Sequence, residues 1–318
     1  MQRAFVFPGQ GSQSVGMGRE LAEAFPAARM VFEEVDDALS QKLSRLMFEG
    51  PADELTLTEN AQPALMATSL AVVRVIEEEG GFSLFDKASY VAGHSLGEYS
   101  ALAAVRTLSL AETARLLKKR GQAMQQAVPV GTGAMAALLG LEMPTVQEIA
   151  EKAAKDEDGN HQVCTAANDN APGQIVISGH KEAVERAVKL AGEAGAKRSV
   201  LLPVSAPFHC PLMAPAADVM AEALAEVVFA VPPLPLVANV TAEPVQEPET
   251  LRRLLVEQVT GMVRWRESML AMKAAGVESI VELGAGKVLS GLTKRIDREL
   301  KGTAVGTPED IEAFLKSL

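Results

Sequence analysis

The chain has 318 residues, of which 48% are hydrophobic and 22% charged, enough apolar content for a sizeable core and too much for a disordered chain. Lys and Arg number 30 against 41 Asp and Glu, a formal net charge of −11. That balance excludes the basic excess needed to meet nucleic-acid phosphates.

Two cysteines, Cys164 and Cys210, are too few for a disulfide framework or a cysteine-rich zinc site. No His/Cys/Asp/Glu cluster has metal-ligand spacing, so no metal is expected. The opening stretch MQRAFVFPGQG lacks a secretory h-region and an Arg/Ser-rich transit pattern. The uncharged run 121–141 is broken by Gln, Pro and Gly and cannot span a membrane. A cytoplasmic protein is expected.

The first element is an apolar strand over 3–7, stopped by Pro8-Gly9. Helical periodicity follows over 19–39 and 61–79. A short strand over 88–92 runs into Gly93-His94-Ser95-Leu96-Gly97, and a helix over 98–105 comes next. Ser109 and Glu112 have the spacing of a capping box, opening a helix that reaches about Val128. A loop with Pro129, Gly131 and Gly133 leads into the order strand (134–141), helix (145–155), strand (162–167), strand (174–178), helix (181–194), strand (197–204). That β-α-β-β-α-β order predicts a ferredoxin-like unit inserted at about 130–203, so 1–129 and 204–318 form one interrupted α/β core. The remainder reads as helix 213–228, strand 234–239, helices 251–259 and 267–275, strand 279–282, and helix 288–300.

Gly93-His94-Ser95-Leu96-Gly97 fits G-x-S-x-G. A serine on a tight strand-to-helix turn is pushed outward, and small flanking residues prevent clashes. The N–H of the next residue, Leu96, then points at a developing oxyanion.

A serine hydroxyl needs a base. His94 adjoins Ser95 and reads as structural. His161 lies in an exposed turn, and His180 at a helix start. His209 sits in the proline-stiffened loop Ser205–Pro211, a rigid place for a base, although the residues alone leave its role open. In hydrolases of this elbow type an acid follows the serine in the chain and precedes the histidine. Asp169 is the least poor candidate. No acid sits clearly at a strand end of the main sheet, which points to a Ser–His dyad with the imidazole oriented by something else, such as a backbone carbonyl.

Arg120 shares its helix face with Leu116 and Met124, and is either paired within the fold or kept for an anion. Lys118 and Lys119 project elsewhere and read as solvated. The glycine loop starting at Gly9 has Ser14 in the third position of G-x-G-x-x-G and no Walker lysine, and the loop starting at Gly284 has Leu289 in that third position. Both read as tight strand-to-helix connections.

At this point the chain resembles the malonyl-CoA:acyl carrier protein transacylase family of type II fatty acid synthesis, and the acyltransferase domains of polyketide and fatty acid synthases. The resemblance spans nearly the whole chain. It rests on Phe7-Pro8-Gly9-Gln10-Gly11-Ser12-Gln13, Asn60-Ala61-Gln62-Pro63-Ala64, the elbow with Glu98-Tyr99, and Arg120-Gly121. It continues through Ala167-Asn168, Pro172-Gly173-Gln174, Pro207-Phe208-His209, Gln258 and Glu282–Leu289.

The resemblance implies a hydrolase-like α/β core with a parallel sheet, an inserted ferredoxin-like subdomain, Ser95 as nucleophile and His209 as base. It implies an oxyanion hole from the N–H groups of Gln10 and Leu96, and Gln258 orienting His209 through its carbonyl. Arg120 would hold the malonyl carboxylate, with Met124 and Phe208 lining the substrate and Phe208 excluding methylmalonyl groups. The implied partners are malonyl-CoA and an acyl carrier protein, with no cofactor, no nucleic acid, no membrane, and a monomeric enzyme. Lys181, Arg186, Lys189, Lys287, Lys294 and Arg295 are candidate cations for an acidic carrier. The rival expectations are a serine hydrolase or thioesterase using Asp169, a silent interaction module, and a polyketide-pathway acyltransferase with the same chemistry.

Overall fold

The computed structural model describes residues 2–156 and 158–318. Its strands are β1 (Gln2–Phe7), β2 (Tyr90–Gly93), β3 (Gly133–Leu139), β4 (Cys164–Ala171), β5 (Gln174–His180), β6 (Arg198–Leu201), β7 (Leu236–Val237), β8 (Pro244–Val245), β9 (Val277–Leu283) and β10 (Lys301–Val305). They form two sheets. The six-stranded sheet has the order β10-β9-β1-β2-β7-β8. It is parallel except for the antiparallel edge strand β8. The four-stranded sheet β4-β5-β3-β6 is antiparallel throughout.

Residues Ala4 to Phe7 of β1 are fully buried, as a central parallel strand covered on both faces requires. One face packs on the long helix Thr58–Gly80, whose side chains are buried almost all round through Ile76. The other face carries Ala4, Val6 and Ala92, which pack with Trp265, Met269 and Met272 of the helix Trp265–Ala274. β1 and β2 run side by side with Phe7 opposite Gly93. The loops holding Gln10 and Ser95 therefore leave the sheet at adjacent carboxyl ends, the usual place for an α/β ligand crevice.

In the smaller sheet, β3 to β6 and the helices Met143–Ala153 and Lys181–Glu193 have the order and pairing of a ferredoxin-like unit, with a separate core around Leu138, Val146, Ile177 and Val184. It is tied to the larger sheet's helices by Asp169 N–H to Val263 O at 2.9 Å and by the ion pair of Arg266 with Asp169.

Several elements differ from their sequence-based bounds. The expected helix 19–39 is two helices, Arg19–Ala24 and Pro26–Leu39. Phe25 between them is extended (φ −130°, ψ 124°), because the ring of Pro26 disfavours helical geometry in the residue before it. The expected helix 288–300 stops at Ile296, and the next residues form β10 along the sheet edge. Lys301-Gly302-Thr303-Ala304-Val305 has too short a pattern to announce a strand, and only its pairing with β9 makes it one. The terminal helix Pro308–Lys316 was likewise not expected from the sequence, although Thr307 and Asp310 form its capping box.

The Gly284 loop is a strand-to-helix connection. The buried carboxylate of Glu282 accepts the N–H groups of Leu289 and Ser290 at 3.1 and 2.7 Å. A protein carboxylate thus fills the anion position at that helix start.

Candidate active site

The serine turn is held by its neighbours' lack of side chains. Ser95 has φ 53°, a left-handed conformation rare for a non-glycine residue. A Cβ on Gly93 would lie 1.9 Å from the Gly97 carbonyl carbon, and one on Gly97 would lie 2.3 Å from Phe7 O. Both glycines are therefore required for the turn to close over β1. Asn239, just past β7, clamps it: its Oδ1 accepts the Ser95 N–H and its Nδ2 donates to Gly93 O, both at 2.8 Å. The helix Gly97–Ala104 starts two residues after Ser95.

Ser95 Oγ lies 2.7 Å from His209 Nε2. On the far side of the ring, Nδ1 lies 2.8 Å from Gln258 O and 3.1 Å from Gly261 O. A carbonyl can only accept, so Nδ1 carries the proton and Nε2 is left to accept the serine hydroxyl. The carbonyl is available because Gln258 sits in the last turn of the helix Pro248–Thr260, where backbone acceptors have no helical partner. Burial, then the Arg120 charge, push the His209 pKa down to about 3. Its imidazole is a neutral acceptor near pH 7.

Arg120 reaches the same hydroxyl from the helix Leu110–Gln126, which Ser109 and Glu112 cap as the sequence predicts. Its side chain is 1% exposed, and its Nη2 donates to Ser95 Oγ at 3.1 Å and to Gln258 Oε1 at 2.7 Å. Nη1 donates to Gln62 Oε1 at 2.8 Å. These are neutral acceptors. Burial lowers the Arg120 pKa, and the nearest carboxyl acting on it is Glu98. A buried guanidinium held by amides is poised to take a carboxylate.

These groups line one cavity of about 390 Å³ together with Gln10, Leu96, Met124 and Phe208. Among the described residues, no backbone acceptor takes the N–H of Gln10 or Leu96. Gln258 stands behind the cavity and reaches it through Arg120 and His209.

Other histidines and charges are occupied elsewhere. His94 Nε2 is 2.8 Å from Asn170 Oδ1 and its ring packs against Trp265 at 5.5 Å. His180 Nδ1 accepts the Val163 N–H at 2.8 Å. Asp169 is removed as a triad acid: both its oxygens are taken by Arg266 at 2.8 to 3.1 Å, while carbonyls occupy His209 Nδ1. Lys118, expected to be solvated, instead pairs with Glu59 at 3.0 Å and donates to Asn60 Oδ1 at 2.9 Å. Among the candidate docking cations, Arg186 is folded onto Ala153 O and Gln162 and Arg295 onto Gln174.

Sequence reasoning gave no role to three supporting polar residues, Gln62, Glu98 and Asn239, although the first two lie in segments that carry the resemblance. Each is buried within an apolar stretch, and that pattern was the available signal. Among the described residues, no group of three His, Cys, Asp or Glu is placed to hold a metal ion, and no helix is long and apolar enough to cross a membrane.

An α/β sheet with a histidine-bonded serine on its strand-to-helix turn defines the class of serine-dependent acyl-group enzymes. Within that class, the chain belongs to the acyl transferase domain family, whose pattern matches residues 4–304. It is 47% identical over 315 residues to the malonyl CoA-acyl carrier protein transacylase of Bacillus subtilis (strain 168), covering 99% of this chain and 96% of that one. Among solved structures, it is 59% identical to the acyl-carrier-protein-S-malonyltransferase from Bartonella henselae, with TM-score 0.96 and coverage of 100% of this chain and 99% of the other. A malonyl-transacylase solved in complex with its type II PKS acyl-carrier protein is 43% identical, with TM-score 0.95 and full coverage of both chains.

Proposed function

We propose that this protein transfers a malonyl group from malonyl-CoA to the phosphopantetheine thiol of an acyl carrier protein, supplying fatty acid synthesis. The observation that carries this reading is the meeting of His209 Nε2 and Arg120 Nη2 on Ser95 Oγ, at 2.7 and 3.1 Å. A base activates the hydroxyl, and a buried cation waits beside it for a substrate carboxylate. The names of the relatives, malonyl transacylases over the full chain, support it.

Ser95 Oγ attacks the thioester carbonyl while His209 Nε2 takes its proton. The oxyanion accepts the N–H groups of Gln10 and Leu96, each worth on the order of 3 kcal/mol in comparable sites. The C–S bond breaks, and the CoA thiol leaves with the proton from His209. A malonyl ester of Ser95 remains, its free carboxylate on Arg120. The carrier thiol then gives its proton to His209 and attacks the ester, and Ser95 recovers the proton as it leaves.

On this reading Met124 and Phe208 shape the acyl pocket, and the enzyme works as a cytoplasmic monomer without a cofactor of its own. Residues 1–129 and 204–318 form the catalytic unit, with 130–203 inserted between them. The test is the intact mass after malonyl-CoA, then after holo carrier. A malonyl adduct should form and disappear on carrier addition, and Ser95→Ala should carry none. An adduct on Ser95→Ala would overturn the nucleophile assignment. Release of free malonate with no carrier requirement would favour a hydrolase.

A further inference from the structure

Behind the catalytic groups, and outside the cavity, a buried carboxyl meets the amide that braces Arg120. Glu98 is 1% exposed and lies three residues after Ser95, on the first turn of the helix Gly97–Ala104. Both its oxygens face donors. Oε1 accepts the Asn239 N–H at 2.6 Å, and Oε2 accepts a hydrogen from Gln258 Nε2. The same Nε2 donates to Ser95 O at 2.9 Å. The other end of that amide, Oε1, accepts Arg120 Nη2 at 2.7 Å. Burial pushes the Glu98 carboxyl up to about 8, against the two donors and the Arg120 charge, so it is fully ionised only above that pH; donors at both oxygens are the arrangement of the ionised form.

A side-chain amide has one accepting end and one donating end, and nothing in its shape fixes which points where. Here the two ends face opposite demands. Arg120 has only donors, so it needs the amide oxygen. The Glu98 carboxylate has only acceptors, so it demands the amide NH2. With the amide turned over, NH2 would meet guanidinium and oxygen would meet carboxylate, leaving two buried charged groups unpaired. We infer that Glu98 is a positioning residue: with Ser95 O, it holds the Gln258 amide in the orientation that aims Arg120 at the substrate carboxylate. This rests on the reading of Arg120 as the holder of that carboxylate.

Gln258 serves the two catalytic arms through different atoms. The carbonyl that holds His209 is fixed by the helix Pro248–Thr260 and does not move when the side-chain amide turns. Glu98 therefore acts mainly on the Arg120 arm: on the serine side the amide reaches the Ser95 backbone oxygen, and the contact of Ser95 Oγ with His209 does not pass through it. This separation distinguishes a positioning role from a merely structural one, which would weaken both arms together.

The decisive variant is Glu98→Gln. It keeps the size and removes one of the two acceptors. The Asn239 N–H is a fixed backbone donor and takes the remaining oxygen, so the new NH2 faces the Gln258 NH2, a donor against a donor, and displaces that amide from Arg120 against the hold of Ser95 O. Two rates are read at pH 9, where Glu98 is ionised, on the full-length protein by intact mass: malonyl-ester formation from malonyl-CoA, and sulfonylation of Ser95 by phenylmethylsulfonyl fluoride, which is neutral and brings no carboxylate for Arg120 to hold. We expect Glu98→Gln to slow malonyl-ester formation by about tenfold or more, with KM raised, while sulfonylation holds within about threefold. Equal loss of both rates, or no loss of either, overturns the inference.

Gln258→Met gives a second route should the first variant fold poorly. It removes the amide and keeps the helix carbonyl, and should slow malonyl-ester formation to the same extent. Glu98→Gln placed on that background should add no further loss, because its effect passes through the amide. Multiplying losses overturn the inference. Arg120→Ala, run alongside, separates the two levels: if it spares malonyl-ester formation, the underlying reading of Arg120 fails; if it abolishes it while Glu98→Gln does not, only the positioning role fails.

Discussion

The backbone carbonyl of Gln258 lies 2.8 Å from Nδ1 of His209, in the place where a hydrolase triad would put a carboxylate. Gly261 O stands 3.1 Å from the same nitrogen. Both carbonyls belong to the C-terminal end of one helix, where the backbone dipole carries partial negative charge. Two partial charges fix the tautomer and, on the proposed mechanism, would steady the imidazolium, without the buried full charge of an acid.

Asp169→Asn separates this arrangement from a triad. Since Asp169 is bound to Arg266, malonyl-ester formation should hold within about threefold, whereas losing a triad acid costs about four orders of magnitude. Stability should fall by about 1–3 kcal/mol, because the variant replaces a paired carboxylate with one neutral acceptor and sets an NH2 against a half-buried arginine. Rapid-quench labelling and urea unfolding read the two effects.

Burial and Arg120 hold His209 down to about 3, so it should remain a competent base well below pH 6.5. The rate of Ser95 sulfonylation should stay flat from pH 7 to about 5, where an unperturbed histidine would already be mostly protonated. The linkage has a definite sign. Below 6.5 the unfolded chain takes up a proton that the folded protein refuses. The His209 contribution to stability is therefore complete above 6.5 and is lost progressively as pH falls toward 3. A sulfonylation rate that drops with a midpoint near 6.5 would contradict the burial argument.

Arg120→Ala should slow malonyl transfer by about two orders of magnitude or more, while acetyl transfer holds or rises. The wild-type guanidinium is braced by Gln62 and Gln258 and cannot leave the cavity for water, so an acyl group without a carboxylate leaves its charge unanswered. Competition between malonyl-CoA and acetyl-CoA measures the ratio directly. Equal loss on both substrates would mark the arginine as structural.

Phe208 lines the cavity and is 9% exposed. Phe208→Ala should open room for a branching methyl, and methylmalonyl-CoA should acylate Ser95 at about ten times its wild-type rate or more, given the 1–3 kcal/mol that one methyl group is worth in such pockets. Unchanged selectivity between the two acyl groups would refute a steric gate.

Gly97→Ala should destabilise the protein by about 3 kcal/mol and remove malonyl labelling, because the added Cβ would sit 2.3 Å from Phe7 O. Gly291→Ala is the control. It lies on a helix with no atom within 4 Å of the added Cβ, and should be neutral or slightly stabilising. Thermal melts of the two variants side by side test the contrast.

The local code was legible wherever a short segment sets its own conformation. Gly93 to Gly97 demands a tight turn because only glycine fits at both ends. Ser109 and Glu112 cap their helix because the two partners lie within one turn. Alternating strand and helix patterns around 130–203 revealed the ferredoxin-like order. The same reasoning failed where distant segments decide. β10 is a strand only because β9 offers it hydrogen bonds, and Lys118 is paired only because Glu59 of another helix lies beside it.

The site divides in the same way. The sequence by itself determined that Ser95 sits on an exposed turn, that no acid was well placed for a triad, and that Arg120 shares a face with apolar residues. Tertiary structure alone decided what those facts mean. Ser95, Arg120, His209 and Gln258 come from four segments spread over 164 positions of the chain, and no periodicity links them. Their meeting follows from the adjacent parallel strands β1 and β2, which set the turn at the sheet's carboxyl edge, and from helix ends that aim at it. Glu98 shows the point most plainly: three residues from Ser95 in sequence, it meets Arg120 through the side chain of Gln258, whose NH2 faces the carboxyl and whose oxygen faces the guanidinium.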